Sequence, residues 1–159
     1  MKNARYLDHE SLTMFYPIIL KQFIMLTDHL VQDGHQEMAK NVLKKYDDVM
    51  PNLYPYTEVA ARKYYIIEDA YKVGEAQLGN KWANEIDDYI LDILSYNANL
   101  VQNNADGVQL HDVQLSMSIL NGLASMTKDF HQTALSAKYS AQLKEYEGKL
   151  GSILRQQQQ

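Results

Sequence analysis

The stretch Phe23-Ile24-Met25-Leu26-Thr27-Asp28-His29-Leu30, continued at Ala39, Leu43 and Pro51, decides the fold. Its apolar residues extend a row that begins upstream: Leu12, Tyr16, Ile19, Phe23, Leu26 and Leu30 step alternately by four and three, lining one face of a helix. The spacing predicts a helix over 8–33, capped by Asp8 and closed by Gly34, which supplies the left-handed backbone of a tight turn. Pro17 inside it predicts either a kink or a regular helix that begins near the proline. A second helix over 36–50 carries Met38, Val42 and Val49 on one side and Ala39, Leu43, Tyr46 and Met50 on the next. Two apolar stripes imply two packing partners.

Outward from this hairpin the pattern repeats in coarser form. A third helix over 56–78 carries Ala60, Tyr64, Ile67 and Tyr71, and a fourth over 80–102 carries Trp82, Ile86, Tyr89, Ile93, Tyr96 and Leu100. Asn103-Asn104-Ala105-Asp106-Gly107 is a turn-rich linker. Leu115, Ile119, Leu123 and Met126 mark a fifth helix; Leu135, Tyr139, Tyr146, Leu150 and Ile153 mark a sixth.

Phe23, Leu26, Thr27, Leu30, Ala39, Leu43 and Pro51 stand at the spacings of the tetratricopeptide signature, with Thr27 in place of its glycine and Leu30 in place of its tyrosine. In that pattern the small Ala39 lets the second helix approach the first, while Phe23, Leu26 and Leu43 fill the wedge between them. Later repeats diverge. Around Tyr71, Gly74 and Ala83 the turn segment 75–81 has the wrong length, and in the last hairpin Gly122 and Ala134 take the small positions while Ser118 stands where an aromatic belongs. The expected fold is all-α, with about six helices in antiparallel pairs stacked as a tetratricopeptide-like right-handed superhelix. A helical bundle is the alternative, because four-three spacing specifies helix contact and no more. Residues 1–155 are read as one domain and 156–159 as a disordered tail.

Composition narrows function by exclusion. A net charge of −5 and scattered lysines leave no basic stripe for nucleic acid. There is no cysteine, hence no disulfide or zinc–thiolate chemistry, and either redox compartment is permitted. The apolar run 14–26 is broken by Pro17, Lys21 and Gln22, so no membrane span is expected. His9, His29, His35, His111 and His131 lack ligand spacing, so neither metal nor cofactor is expected. Asp47–Asp48, Glu68–Asp69 and Asp87–Asp88 point about 100° apart on a helix and are read as solvated faces rather than a catalytic pair. Among twelve tyrosines, Tyr54, Tyr56, Tyr64 and Tyr65 are the candidate protein-binding residues, since tyrosine offers apolar area with a polar tip at little entropic cost. Ile24 and Asp28, the neighbours of Phe23 and Thr27, exclude a clamp for a peptide carboxylate, because the acid repels it.

The segments Tyr6-Leu7-Asp8, Gln36-Glu37-Met38-Ala39-Lys40-Asn41-Val42-Leu43, Met50-Pro51-Asn52-Leu53-Tyr54-Pro55-Tyr56 and Ala70-Tyr71-Lys72-Val73-Gly74 resemble the C-terminal soluble region of a bacterial family of multi-spanning membrane proteins related to protein O-mannosyltransferases, of the membrane-embedded glycosyltransferase type. The resemblance implies that any transferase site lies in membrane segments outside this sequence, and that this chain is a non-catalytic protein-interaction or scaffold domain on the periplasmic side of an inner membrane. Its partner is then a protein, a peptide or the parent membrane domain. The alternative is a free-standing helical adaptor or self-associating structural protein, with a cytoplasmic location also open.

Overall fold

The computed structural model describes residues 11–155; Asp8, His9 and the tail 156–159 lie outside them. Among the described residues the chain is all-helical, with no strand and six α-helices: α1 (Tyr16–Gln32), α2 (Gln36–Val49), α3 (Thr57–Lys72), α4 (Ala76–Gln102), α5 (Leu110–Asp129) and α6 (Thr133–Arg155). A π-helical turn, Ser11–Phe15, precedes α1. Pro17 sits in the first turn of α1, directly after the π-helical turn, so the regular α-helix begins near the proline. Met50 closes α2 in extended backbone, the conformation that a following proline imposes on the residue before it.

Four turns share one hydrogen-bond frame. After α1, Gly34 N–H donates to Val31 O and His35 N–H to Leu30 O; after α3, Gly74 N–H donates to Tyr71 O and Glu75 N–H to Ala70 O. Asn104 and Ala105 repeat the frame after α4, as His131 and Gln132 do after α5. This is the Schellman closure, which needs a residue with left-handed backbone at its centre. Gly34 (φ 78°) and Gly74 (φ 81°) meet that need without strain, whereas Asn104 (φ 50°) and His131 (φ 59°) meet it with side chains attached.

The second turn corrects two expectations. α3 stops at Lys72 and α4 already starts at Ala76, so 75–81 is not a turn of the wrong length but the first turns of a helix. Gly79 lies inside α4 at the position Ala39 holds in α2, five residues past the glycine of its turn. A Cβ there would lie 2.7 Å from Cε1 of Tyr71, whose hydroxyl donates to Asn80 Oδ1 at 2.8 Å. The second hairpin therefore repeats the first at an offset of 40 residues, counted from Gly34 to Gly74.

The contacts gather into two compact units, Met1–Glu85 and Ile86–Gln159, where the sequence reading takes 1–155 as a single domain. The boundary falls within α4. In the first unit α1 packs on α2 and α3, around Tyr16, Leu20, Ala39, Leu43, Val59, Ala60, Ile66 and Ile67. Rings link its layers edge to face: Phe23 to Tyr46 at 5.4 Å and Tyr46 to Trp82 at 5.1 Å. In the second unit α5 packs on α6, and its core holds Ile90, Leu94, Val113, Leu120, Leu123, Tyr139 and Leu150. Asn97 Oδ1 accepts the N–H of Gln109 at 2.8 Å, fixing where the linker re-enters helix α5.

The buried faces depart from the expected rows in two helices. On α1 Tyr16, Leu20 and Thr27 are buried while Leu26 is 50% exposed, so Leu26 does not fill the wedge; Phe23 and Leu43 do point inward. On α4 the buried row is Trp82, Ile86, Ile90 and Leu94, and Tyr96 stands 56% exposed. Steps of four carry a row steadily around the helix, so a template alternating four and three parts from it with distance.

Candidate functional site

Two features of the first unit are candidates, a buried polar cluster and an open apolar groove. The cluster centres on Lys63, on α3, which is only 2% exposed. By the offset of 40, Lys63 takes the place that Phe23 holds in the first hairpin: a charged residue at a core position. Its Nζ donates to Glu85 Oε2 at 2.7 Å, to Tyr54 OH at 2.8 Å and, at 3.4 Å, to Asn52 Oδ1. All three ammonium donors therefore have acceptors, which is the condition for burying a charge. Burial pulls the Lys63 pKa down, and Glu85 pushes it part of the way back.

The loop joining α2 to α3 is held to the same cluster. Tyr16 OH donates to Pro51 O at 3.1 Å, and Asp47 accepts the indole N–H of Trp82 at 2.9 Å as well as the Lys81 ammonium. Burial raises the pKa of Tyr46 well above the ordinary phenol value and raises that of Tyr16. Both stay protonated at neutral pH, able to donate. The adjoining cavity, walled by Tyr46, Asp47, Asn52, Lys63, Trp82 and Glu85, measures about 30 Å³. That is room for about one water. The apolar rows read from the sequence do not mark this buried polar cluster. With no space for a substrate and a saturated lysine, it pins the 50–56 loop and the start of α4 to α3.

The carboxylate pairs correct another expectation. They are not solvated faces: Asp69 and Asp87 are buried, and Asp47 is tied to Lys81 and Trp82. The same 100° divergence that keeps two neighbours from converging turns one inward whenever the other faces water. Asp87 Oδ2 is held by Lys138 at 2.8 Å and by Gln142 Nε2 at 3.2 Å. Asp69 has Lys72 at 3.5 Å, its Oδ2 accepts no hydrogen bond among the described residues, and burial raises its pKa to about 6. His29 Nδ1 lies 2.7 Å from Met25 O. Among the described residues no group of three or more histidine and acidic side chains is placed to hold a metal ion. No described helix is long and apolar enough to cross a membrane.

The four nominated tyrosines do not form one surface. Tyr54 turns inward to Lys63, and Tyr56 sits half-buried in extended backbone ahead of α3. Tyr64 meets Tyr65 edge to face at 6.1 Å, and of the four only Tyr65 is strongly exposed, at 58%. Tyr65 helps line the open groove, about 450 Å³, with Ile24, Met25 and Lys21 of α1 and Arg62 of α3. Ile18 on α1 and Met14 and Phe15 in the preceding turn are exposed as well. A wider groove on the second unit, about 600 Å³, is lined by Ser95, Ala98, Asn99, Val101, Gln102 and Lys149 and offers no aromatic anchor. Comparison with known protein families, curated proteins and solved structures finds no match to this chain.

Proposed function

We propose that this chain is a non-catalytic protein-interaction module, carried as the C-terminal soluble part of a membrane glycosyltransferase-like protein. The observation that carries the interaction reading is the groove between α1 and α3. There Tyr65 and Met25, 58% and 45% exposed, stand together with Ile24 in one recess instead of singly on the surface. Apolar area gathered in a recess and rimmed by charge is the anatomy of a docking site rather than of scattered surface residues. The polar cluster at Lys63 supports the same reading, since its donors are spent on the fold itself. The link to a glycosyltransferase-like parent rests on the sequence resemblance.

A photo-crosslinking residue at Tyr65, with the exposed Ser140 as control, tests the interaction reading in the native host. Discrete adducts at 65 and none at 140 are expected; equal or absent adducts at both positions overturn it. For the parent, an antibody against this chain is expected to detect a larger polypeptide in the membrane fraction. A free species of about 18 kDa alone overturns that part.

A further inference from the structure

We propose that the α1–α3 groove receives a partner segment in which a large apolar side chain is flanked by carboxylates. This inference deepens the interaction reading and rests on it. The recess of about 450 Å³ is lined by the apolar Ile24, Met25 and Tyr65 together with the cations Lys21 and Arg62. Lys21 and Arg62 are both exposed, and neither makes an ion pair or side-chain hydrogen bond among the described residues.

The other two cations of α3 do find acids, Lys72 with Glu68 at 3.2 Å and Lys63 with Glu85 at 2.7 Å, whereas Lys21 and Arg62 share one recess with no acid in its lining. The nearest acid along α1, Asp28, accepts a hydrogen bond from Gln32 at 2.7 Å. Two cations with no acidic partner among the described residues, set beside apolar lining, favour a ligand that brings one apolar anchor and negative charge beside it. The guanidinium of Arg62 adds a planar fork that suits a carboxylate. Exposed charges at such a rim contribute little affinity and much of the choice between partners. An anionic bilayer is the less suitable occupant, because the feature is a recess and the chain as a whole is acidic.

The test pans a phage-displayed random peptide library against the full chain and measures the selected peptides by fluorescence anisotropy. Enrichment of aspartate and glutamate around leucine, methionine or aromatic residues is expected. Tyr65→Ala is expected to abolish binding, and Lys21→Glu with Arg62→Glu to weaken the selected peptides about tenfold and to select lysine-flanked sequences instead. All these positions are exposed, and circular dichroism checks that each variant folds. Four results overturn the inference: no selected peptide, selected peptides without an excess of acid, sedimentation with phosphatidylserine vesicles in place of peptide binding, or a concentration-dependent dimer lost on Tyr65→Ala. Discrete cross-links at Tyr65 alongside a failed selection sink only the acidic-ligand inference, while loss of both sinks the interaction reading.

Discussion

The α1–α2 hairpin of the first unit and the α5–α6 hairpin of the second close with the same backbone hydrogen bonds, yet they fill the shared positions with different residues. At the left-handed position one has Gly34 and the other His131. Around the helix crossing, Ala39 on α2 and Thr27 on α1 correspond to Ser136 on α6 and Ala124 on α5. Each pair joins an alanine to a small hydroxyl residue, with the roles exchanged. Thr27 Oγ1 donates to Phe23 O at 2.8 Å, and Ser136 Oγ to Ala124 O at 3.0 Å. At the position of Phe23 the α3–α4 hairpin has Lys63 and the last hairpin Leu120. The difference teaches that the turn frame and the space at the crossing are what recur, and that side-chain identity is free within those limits.

The strongest way to break this comparison is Lys63→Leu, which gives the α3–α4 hairpin the residue type of the last one. It leaves Glu85 and Tyr54 without their donor and should cost about 2–4 kcal/mol in urea unfolding, with Glu85→Gln in the same chain recovering part of the loss. A neutral result would mean that the position accepts any large side chain. Next come the crossings. Ala39→Leu overpacks α1 against α2, and Gly79→Ala drives a Cβ into the Tyr71 ring; each should destabilise by about 1–3 kcal/mol, the second despite alanine's better helix propensity.

The inward carboxylates sharpen the comparison further. The Asp69 carboxyl titrates at about 6 in the folded chain, above the roughly 3.9 of an unfolded aspartate. Between those values the native state holds the extra proton, so this group favours folding at low pH, and its contribution falls as pH rises from about 4 to about 6. Asp69→Asn should remove that slope and raise stability at pH 8 by about 1–2 kcal/mol, read from unfolding curves at pH 4, 6 and 8. The smallest effect belongs to the turn. His131→Gly should stabilise by about 0.5–1 kcal/mol in thermal melts, because it relieves the left-handed backbone at φ 59°.

Helix number and most of the termini are legible because apolar periodicity and proline are local signals. Gly34 announced the first turn, and Pro51 the end of α2. The turn after α4 is plain from the polar 103–107, but two others are less visible: Gly79 competes with Gly74 for the role of breaker, and His131 does a glycine's task without being glycine. Lys63 is hard to see in the sequence for a related reason. A search at a spacing of 34 passes over it, whereas superposing the two glycine turns at 40 sets it directly on Phe23 and exposes a charge at a core position. Tyr54, chosen for its composition, turned inward because that lysine needs an acceptor. Tyr65 is exposed, and its neighbours in the groove, Lys21, Ile24 and Met25, come from another helix and share no sequence pattern with it.

Because Glu85 follows Lys63 by 22 residues, the two cannot meet on the ribosome when the lysine first emerges. As the chain is synthesised from its N-terminus, the ammonium must keep its hydration until the first turns of α4 have been translated and released. The ion pair of Lys63 thus has to wait for the start of α4, and a nascent chain stalled before residue 85 would lack it.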